Sequence, residues 1–244
     1  MAGLTLPAAP VIMTPVSTMK HWPLLLVAGL LLATGTCLGL TVPMSTALQA
    51  GFYREAYRVV FFHMPLAFAG TVYFVVAAVH AGIYLNNRDP ARDAAAAGSA
   101  ELGLVLLVLA TATGMIFAKS QWGQWWNWDP RQTSVALVLL IYAAYLALRQ
   151  SYEDEALRAR RSSAYLLLAV APMIWLVAIY PRSKQIAMTS LHPTHPPLEG
   201  PHWRIIMINF IGLVVLAAVA RRLQDAAAAL RRASRERRLE EPAR

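Results

Sequence analysis

The feature that most constrains this chain is where its charge is missing. Six stretches, Pro23–Thr41, His63–Leu85, Leu102–Ala118, Thr133–Leu148, Ala164–Tyr180 and Ile205–Ala220, carry almost no ionised side chains, and the connections between them carry nearly all. Each is near the ~17–25 apolar residues needed to cross about 30 Å of hydrocarbon. Within lipid every backbone N–H and C=O must be bonded internally, and a segment of this length does so as a helix. The pattern therefore predicts an all-α integral membrane protein with six transmembrane helices. Only 14% of the 244 residues are charged, against roughly 25% in a soluble domain. Pro172 falls inside the fifth stretch and predicts a kink there.

The positive charge is distributed by side. If the termini share one side, that side holds 15 of the 22 Lys and Arg residues, eight of them after residue 220, and the other side holds 7. Positive residues stay cytoplasmic, so both termini are expected inside. The same placement turns the formal net charge of +9 away from nucleic acid, because the basic residues flank apolar runs instead of lining one face. Three parts result: an N-terminal cytoplasmic tail over 1–22, a six-helix membrane domain over 23–220, and a basic, helical tail over 221–244. Lys20 and His21 before an apolar run have the outline of a signal peptide. That run is long and lacks a small-x-small exit, so a true span is expected. Residues before Met19 read as unstructured, and Met13 or Met19 could serve as the start. The single cysteine, Cys37, sits in an apolar run, so no intramolecular disulfide can form, and no C-x-x-C-H attachment motif is present.

Polarity at membrane depth is costly, and function is expected where polar and aromatic groups gather without topological need. They gather in the outer connections. Four of the seven tryptophans, Trp122, Trp125, Trp126 and Trp128, lie within seven residues inside the segment 119–133, interleaved with Gly123, Asn127, Asp129 and Arg131. An interfacial belt needs only one or two such residues per helix end. If the stretch is helical up to Pro130, Trp122, Trp125, Trp126 and Asp129 share one face. Such a surface suits stacking on a flat conjugated ligand, with a cation for its carboxylates. A porphyrin with two propionates fits that description. Two histidine segments frame it: His63 just before Pro65 at the outer mouth of the second span, and His192 and His195 in the last outer connection. Neutral imidazole is a common iron ligand, and two from separate spans can hold one iron from opposite faces.

The segment W-G-x-W-W-x-W-D-x-R-x-T, from Trp122 to Thr133, resembles the tryptophan-rich signature of the haem-handling family that includes CcmC, CcmF and the CcsA-type cytochrome c synthetases. Tyr57, Arg58, His63 and Pro65 match the Y-R-x-x-x-x-H-x-P pattern of its CcmC branch. His192 matches the second axial histidine by its Leu-His context, with His195 the alternative in the same loop and His202 a third choice. The stretch 186–191 departs from the pattern, because it lacks the tryptophans that CcmC carries there. The resemblance covers roughly Phe52 to Ala220. It implies haem b, bound non-covalently and transiently. His63 and His192 would be the axial ligands, Trp122, Trp125, Trp126 and Trp128 would stack, and Arg131 would pair with a propionate. Asp129 is expected either to orient Arg131 or to cap the fourth span. Further implications are the bacterial inner membrane with the site facing the periplasm, delivery to the haem chaperone CcmE, and a complex with the ABC-type subunits CcmA and CcmB and small CcmD. No activated nucleophile or metal-hydrolase constellation is present, so the chain reads as a platform for haem transfer. The alternatives are the integral part of a CcsA-type synthetase, a haem-exporting permease, or a b-type electron-transfer protein.

Overall fold

Aspartate followed by proline opens two of the long helices. Asp89 caps the helix that begins at Pro90 by accepting from the Ala91 amide, and Asp129 caps the one that begins at Pro130 by accepting from the Arg131 amide, each at 2.9 Å. Proline suits the first helical position, where an N–H would have no partner. Asp154 caps a third helix through the Leu157 amide. In the computed structural model, which describes residues 21–44, 55–192, 196 and 198–240, six long helices follow from such signals: α1 (Trp22–Thr41), α2 (Val60–Asn87), α3 (Pro90–Trp122), α4 (Pro130–Gln150), α5 (Glu155–Ile174) and α6 (Gly200–Glu240). Each contains a window long and apolar enough to cross a membrane, α5 together with the helical turns that continue it to Arg182. The chain is a multi-pass membrane protein. Large side chains such as Leu30, Val79, Val105, Leu140 and Leu168 point outward along these helices, as a lipid-facing surface requires.

The helices outrun the stretches read from hydropathy. The connection expected over 86–100 is mostly helix, since only Arg88 and Asp89 separate α2 from α3. Arg88 turns left-handed at φ 57° and donates its amide to the Tyr84 carbonyl, which closes α2. Small alanines from Ala95 to Ala97 are buried against the neighbouring helices. The expected disturbance at Pro172 takes a specific form. Proline cannot donate to the Leu168 carbonyl, and from Trp175 to Ile179 the chain widens into a π-helical turn, followed by a 3-10 turn at Tyr180–Arg182.

Aromatic packing joins α2, α4 and α5, with Phe74 stacked on Tyr142 at 3.5 Å and Leu166, Met173 and Val138 buried around them. At one end of the bundle, Arg149 of α4 makes a two-pronged ion pair with Asp93 of α3 at 2.6 and 2.8 Å. At the other, Arg58 donates to the carbonyls of Gly39 and Val42, satisfying the open end of α1. Pro65 lies inside α2, one turn deeper than a helix-opening proline would sit, and leaves the Phe61 carbonyl without its helical donor. The Asn209 amide of α6 supplies the missing hydrogen bond at 2.9 Å. That contact fixes α6 against the first turn of α2, beside His63.

Candidate functional site

His63 lies in the first turn of α2, facing α3. Its Nδ1 stands 2.8 Å from the Ala110 carbonyl oxygen. A carbonyl only accepts, so Nδ1 carries the proton and Nε2 keeps its lone pair. This is the tautomer a metal ligand needs. The close approach depends on Gly114, where a Cβ would come within 2.8 Å of His63 Cε1. Glycine at 114 therefore sets how deep the imidazole sits.

The tryptophan segment is built differently from a continuous helix, so the single face expected for Trp122, Trp125, Trp126 and Asp129 does not form. Gly123 adopts φ 79° and ends α3 at Trp122, with the Lys119 ammonium donating to the Gly123 carbonyl. A left-handed residue is a usual helix stop, and glycine takes it without steric cost. From Gly123 to Asp129 the chain runs as a loop back into α4. The Asn127 amide donates to Gln132 Oε1 at 2.8 Å, and the Thr133 hydroxyl donates to the Trp128 carbonyl. The four rings part company. Trp122 stands edge-on to the His192 ring at 4.7 Å and to Phe117 at 5.4 Å. Trp126 turns inward with Trp128 edge-on against it, while Trp125 is 53% and Trp128 75% exposed.

Asp129 is the hinge of the site. Its side chain is fully buried and receives four hydrogen bonds: the Arg131 amide and His192 Nδ1 on Oδ1, at 2.9 and 2.7 Å, and the Ser190 hydroxyl and Leu191 amide on Oδ2, at 2.8 and 2.6 Å. Burial alone would raise its carboxyl. The hydrogen bond and charge of His192, with the hydrogen bonds of the Arg131 amide and the Ser190 hydroxyl, outweigh burial and hold it well below the usual carboxylate range. An ionised carboxylate can only accept, so His192 donates through Nδ1 and its Nε2 is left without a partner among the described residues. Of the two roles expected for Asp129, the structure shows the cap of the fourth span. The sequence did not show that the same carboxylate fixes His192, since the two lie 63 positions apart.

Both imidazoles line one cavity of about 420 Å³, within the ~300–1,000 Å³ typical of small-molecule sites. Its walls are largely apolar, including Phe68, Leu107, Met115 and Val135, and Trp126, Trp203, Arg131 and Arg182 complete them. His63 and His192 are close enough to interact electrostatically. Trp126 Nε1 and Arg131 Nε are buried without a hydrogen-bond partner among the described residues, and such groups call for an acceptor that enters from outside. Two free imidazole nitrogens, an apolar slot and unmet donors match the chemistry of an iron porphyrin with acidic side groups. Trp203 and Arg182 were not anticipated as site residues. Trp203 follows His202 with no motif around it, and Arg182 had read only as a charge flanking a span.

His202 is buried, accepts from the Glu199 amide through Nδ1 and donates to the Pro43 carbonyl through Nε2, so both nitrogens are committed. It cannot ligate through either nitrogen without breaking a hydrogen bond. His195 lies outside the described residues, as do Phe52 and the tail residues 1–20.

The CcmC family model, described as heme exporter protein C, matches residues 4–240, a wider reach than the Phe52–Ala220 expected. Proteins named heme exporter protein C are similar to this chain. The one from Paracoccus denitrificans is 34% identical over 97 residues, 40% of each chain. That of Escherichia coli K12 is 32% identical over 116 residues, 48% of this chain and 47% of the relative. That of Bradyrhizobium diazoefficiens is 32% identical over 143 residues, 57% and 54%. The chain thus spans about half the length of the curated relatives it matches.

Proposed function

The chain belongs to the CcmC, or heme exporter protein C, family, and on that premise we propose that it holds haem b, non-covalently and transiently, at one face of a bacterial inner membrane for cytochrome c biogenesis. The observation that carries this reading is the pair of imidazoles from α2 and the last connection. Both have Nδ1 committed to an acceptor and Nε2 free at a shared cavity. His63 and His192 would serve as axial ligands to the iron, which supplies the two coordination bonds that make binding specific. Trp126 offers the ring surface inside the cavity, and Trp122 braces His192. Trp125 and Trp128, the exposed rings of the segment, are open to an acceptor protein. Arg131 pairs with a propionate. Asp129 acts through His192 and does not itself touch the cargo.

The charge asymmetry supports placing the histidine end at the periplasm and both termini in the cytoplasm. The recipient is a haem chaperone of the CcmE kind, and CcmA, CcmB and CcmD are the partners of the complex. A reporter fused after Leu148 should read cytoplasmic and one after Trp122 external; the reverse would overturn this orientation. The central test uses protein purified with haem. It should show a low-spin, bis-imidazole spectrum, and His63→Ala and His192→Ala should each lose most of the bound haem. Retention of haem and spectrum by both variants would refute the assignment.

A further inference from the structure

Among the described residues, the cavity wall holds two guanidinium groups and no carboxylate. Arg131 stands at the second position of α4, and Arg182 closes the 3-10 turn that follows the π-helical turn after α5. They come from separate elements, yet lie close enough to act on each other electrostatically. Two like charges beside one apolar space attract an anion to it, with Arg131 half-buried and Arg182 open to solvent at its edge. The nearest acid attracts Arg131 through space only, because all four hydrogen bonds to Asp129 come from His192, Ser190 and the backbone amides of Arg131 and Leu191. Its carboxylate never meets the Arg131 guanidinium, whose buried Nε has no partner among the described residues.

Arg182 is anchored by one nitrogen only. Its Nη1 donates to the Ala178 carbonyl at 2.8 Å and to the Val177 carbonyl at 3.3 Å. These belong to the π-helical turn. The anchor fixes the direction of the guanidinium and leaves Nε and Nη2 without a bond among the described residues. A planar fork held by one prong is suited to take a carboxylate with the other.

We propose that Arg182 is a second carboxylate-binding residue of this cavity, so that Arg131 and Arg182 together select a planar ligand bearing two carboxylates. This rests on the haem reading, and it adds that the site measures both propionates, each against its own arginine. Trp126 Nε1, a further buried donor without a partner among the described residues, lies in the same wall and offers an N–H to one of them.

The test compares iron protoporphyrin IX with its dimethyl ester, which keeps the ring and iron and loses both charges. Each is titrated by absorbance into the detergent-purified full chain carrying wild-type Arg182, Arg182→Gln or Arg182→Lys. Wild type should prefer the free acid. Arg182→Gln should weaken binding of the acid on the order of tenfold and leave the ester unchanged, so the preference shrinks by the same factor. The bis-imidazole bands should persist, and Arg182→Lys should restore part of the preference. If Arg182→Gln weakens acid and ester alike, the residue only braces the π-helical turn and the proposal fails. It fails equally if neither changes. Wild-type protein that binds neither porphyrin with a two-histidine spectrum would instead remove the haem reading beneath it.

Discussion

The two ends of the bundle begin from the same materials and put them to different use. At one end Asp89-Pro90 opens α3, and one turn on Asp93 pairs with Arg149 across to α4. At the other, Asp129-Pro130 opens α4, and the same aspartate pairs with His192 across to the last connection. Asp89 caps and little else, with a side chain 44% exposed and a loose 3.9 Å approach to Arg92. Asp129 caps and orients at once, with a side chain wholly buried. The ion pairs differ in what they leave over. Both Nη1 and Nη2 of Arg149 are taken by Asp93, so that pair closes on itself. His192 gives one nitrogen to Asp129 and keeps the other for the cavity. An acid beside arginine is a clamp; an acid beside histidine is a mount for a ligand.

The largest effect expected from this contrast is on stability, at the clamp. Asp93 and Arg149 are 14% and 17% exposed, so removing one partner strands the other in a dry setting. Arg149→Ala should destabilise the protein by about 3–5 kcal/mol, read as a large drop in thermal unfolding temperature in detergent. The affinity of the surviving folded protein for haem should stay at the wild-type value. A change in the haem spectrum would show that the two ends are coupled and break the comparison.

Next in size is the mount. Asp129→Ser keeps a good helix cap, since serine caps about as well as aspartate, but removes the acceptor that His192 Nδ1 and Leu191 need. Loss of such an outer partner typically costs about 10–100-fold in metal affinity. Haem affinity should fall by that order while helix content is retained. Gly114→Ala should act on the other ligand and more gently. The new Cβ would meet His63 Cε1 at 2.8 Å, and overpacking of this kind costs about 1–3 kcal/mol, part of it relaxed by ring movement. The expected outcome is several-fold weaker haem binding with a shifted Soret band. Unchanged absorption and affinity would mean that His63 does not ligate in this position.

The six spans were legible because lipid imposes one rule on every residue of a crossing helix, and that rule appears as missing charge. Helix ends were less legible. The polar and small residues from Pro90 to Glu101 are helical because a capped start and buried alanines favour it, and an apolar count does not register either. At the site, residue types were legible and relations were not. His63, His192 and the tryptophans stand out by composition. That Asp129 fixes His192, or that Arg182 faces the same cavity as Arg131, depends on contacts between distant parts of the chain. The expected tryptophan face failed at one residue, Gly123, whose left-handed turn released the loop from helical spacing.

The smallest effect should come from Asp89, and it is the control that gives the comparison its meaning. If capping were all that an Asp-Pro pair contributes here, Asp89 and Asp129 would respond alike to the same substitutions. Asp89→Ala removes the acceptor of the Ala91 amide and should cost about 1 kcal/mol of stability. Asp89→Ser should restore nearly all of that, because the serine hydroxyl accepts the same amide. Neither change touches a group that reaches the cavity, so haem affinity and spectrum should match wild type in both. At Asp129 the serine variant should diverge, with the cap kept, stability lowered by the donors of Ser190, Leu191 and His192 left without their acceptor, and haem binding weakened. The decisive quantity is therefore haem affinity in the two serine variants, measured beside unfolding temperature in the same detergent. Equal affinity in Asp89→Ser and Asp129→Ser would reduce Asp129 to a cap and leave the orientation of His192 to Trp122 and the loop backbone.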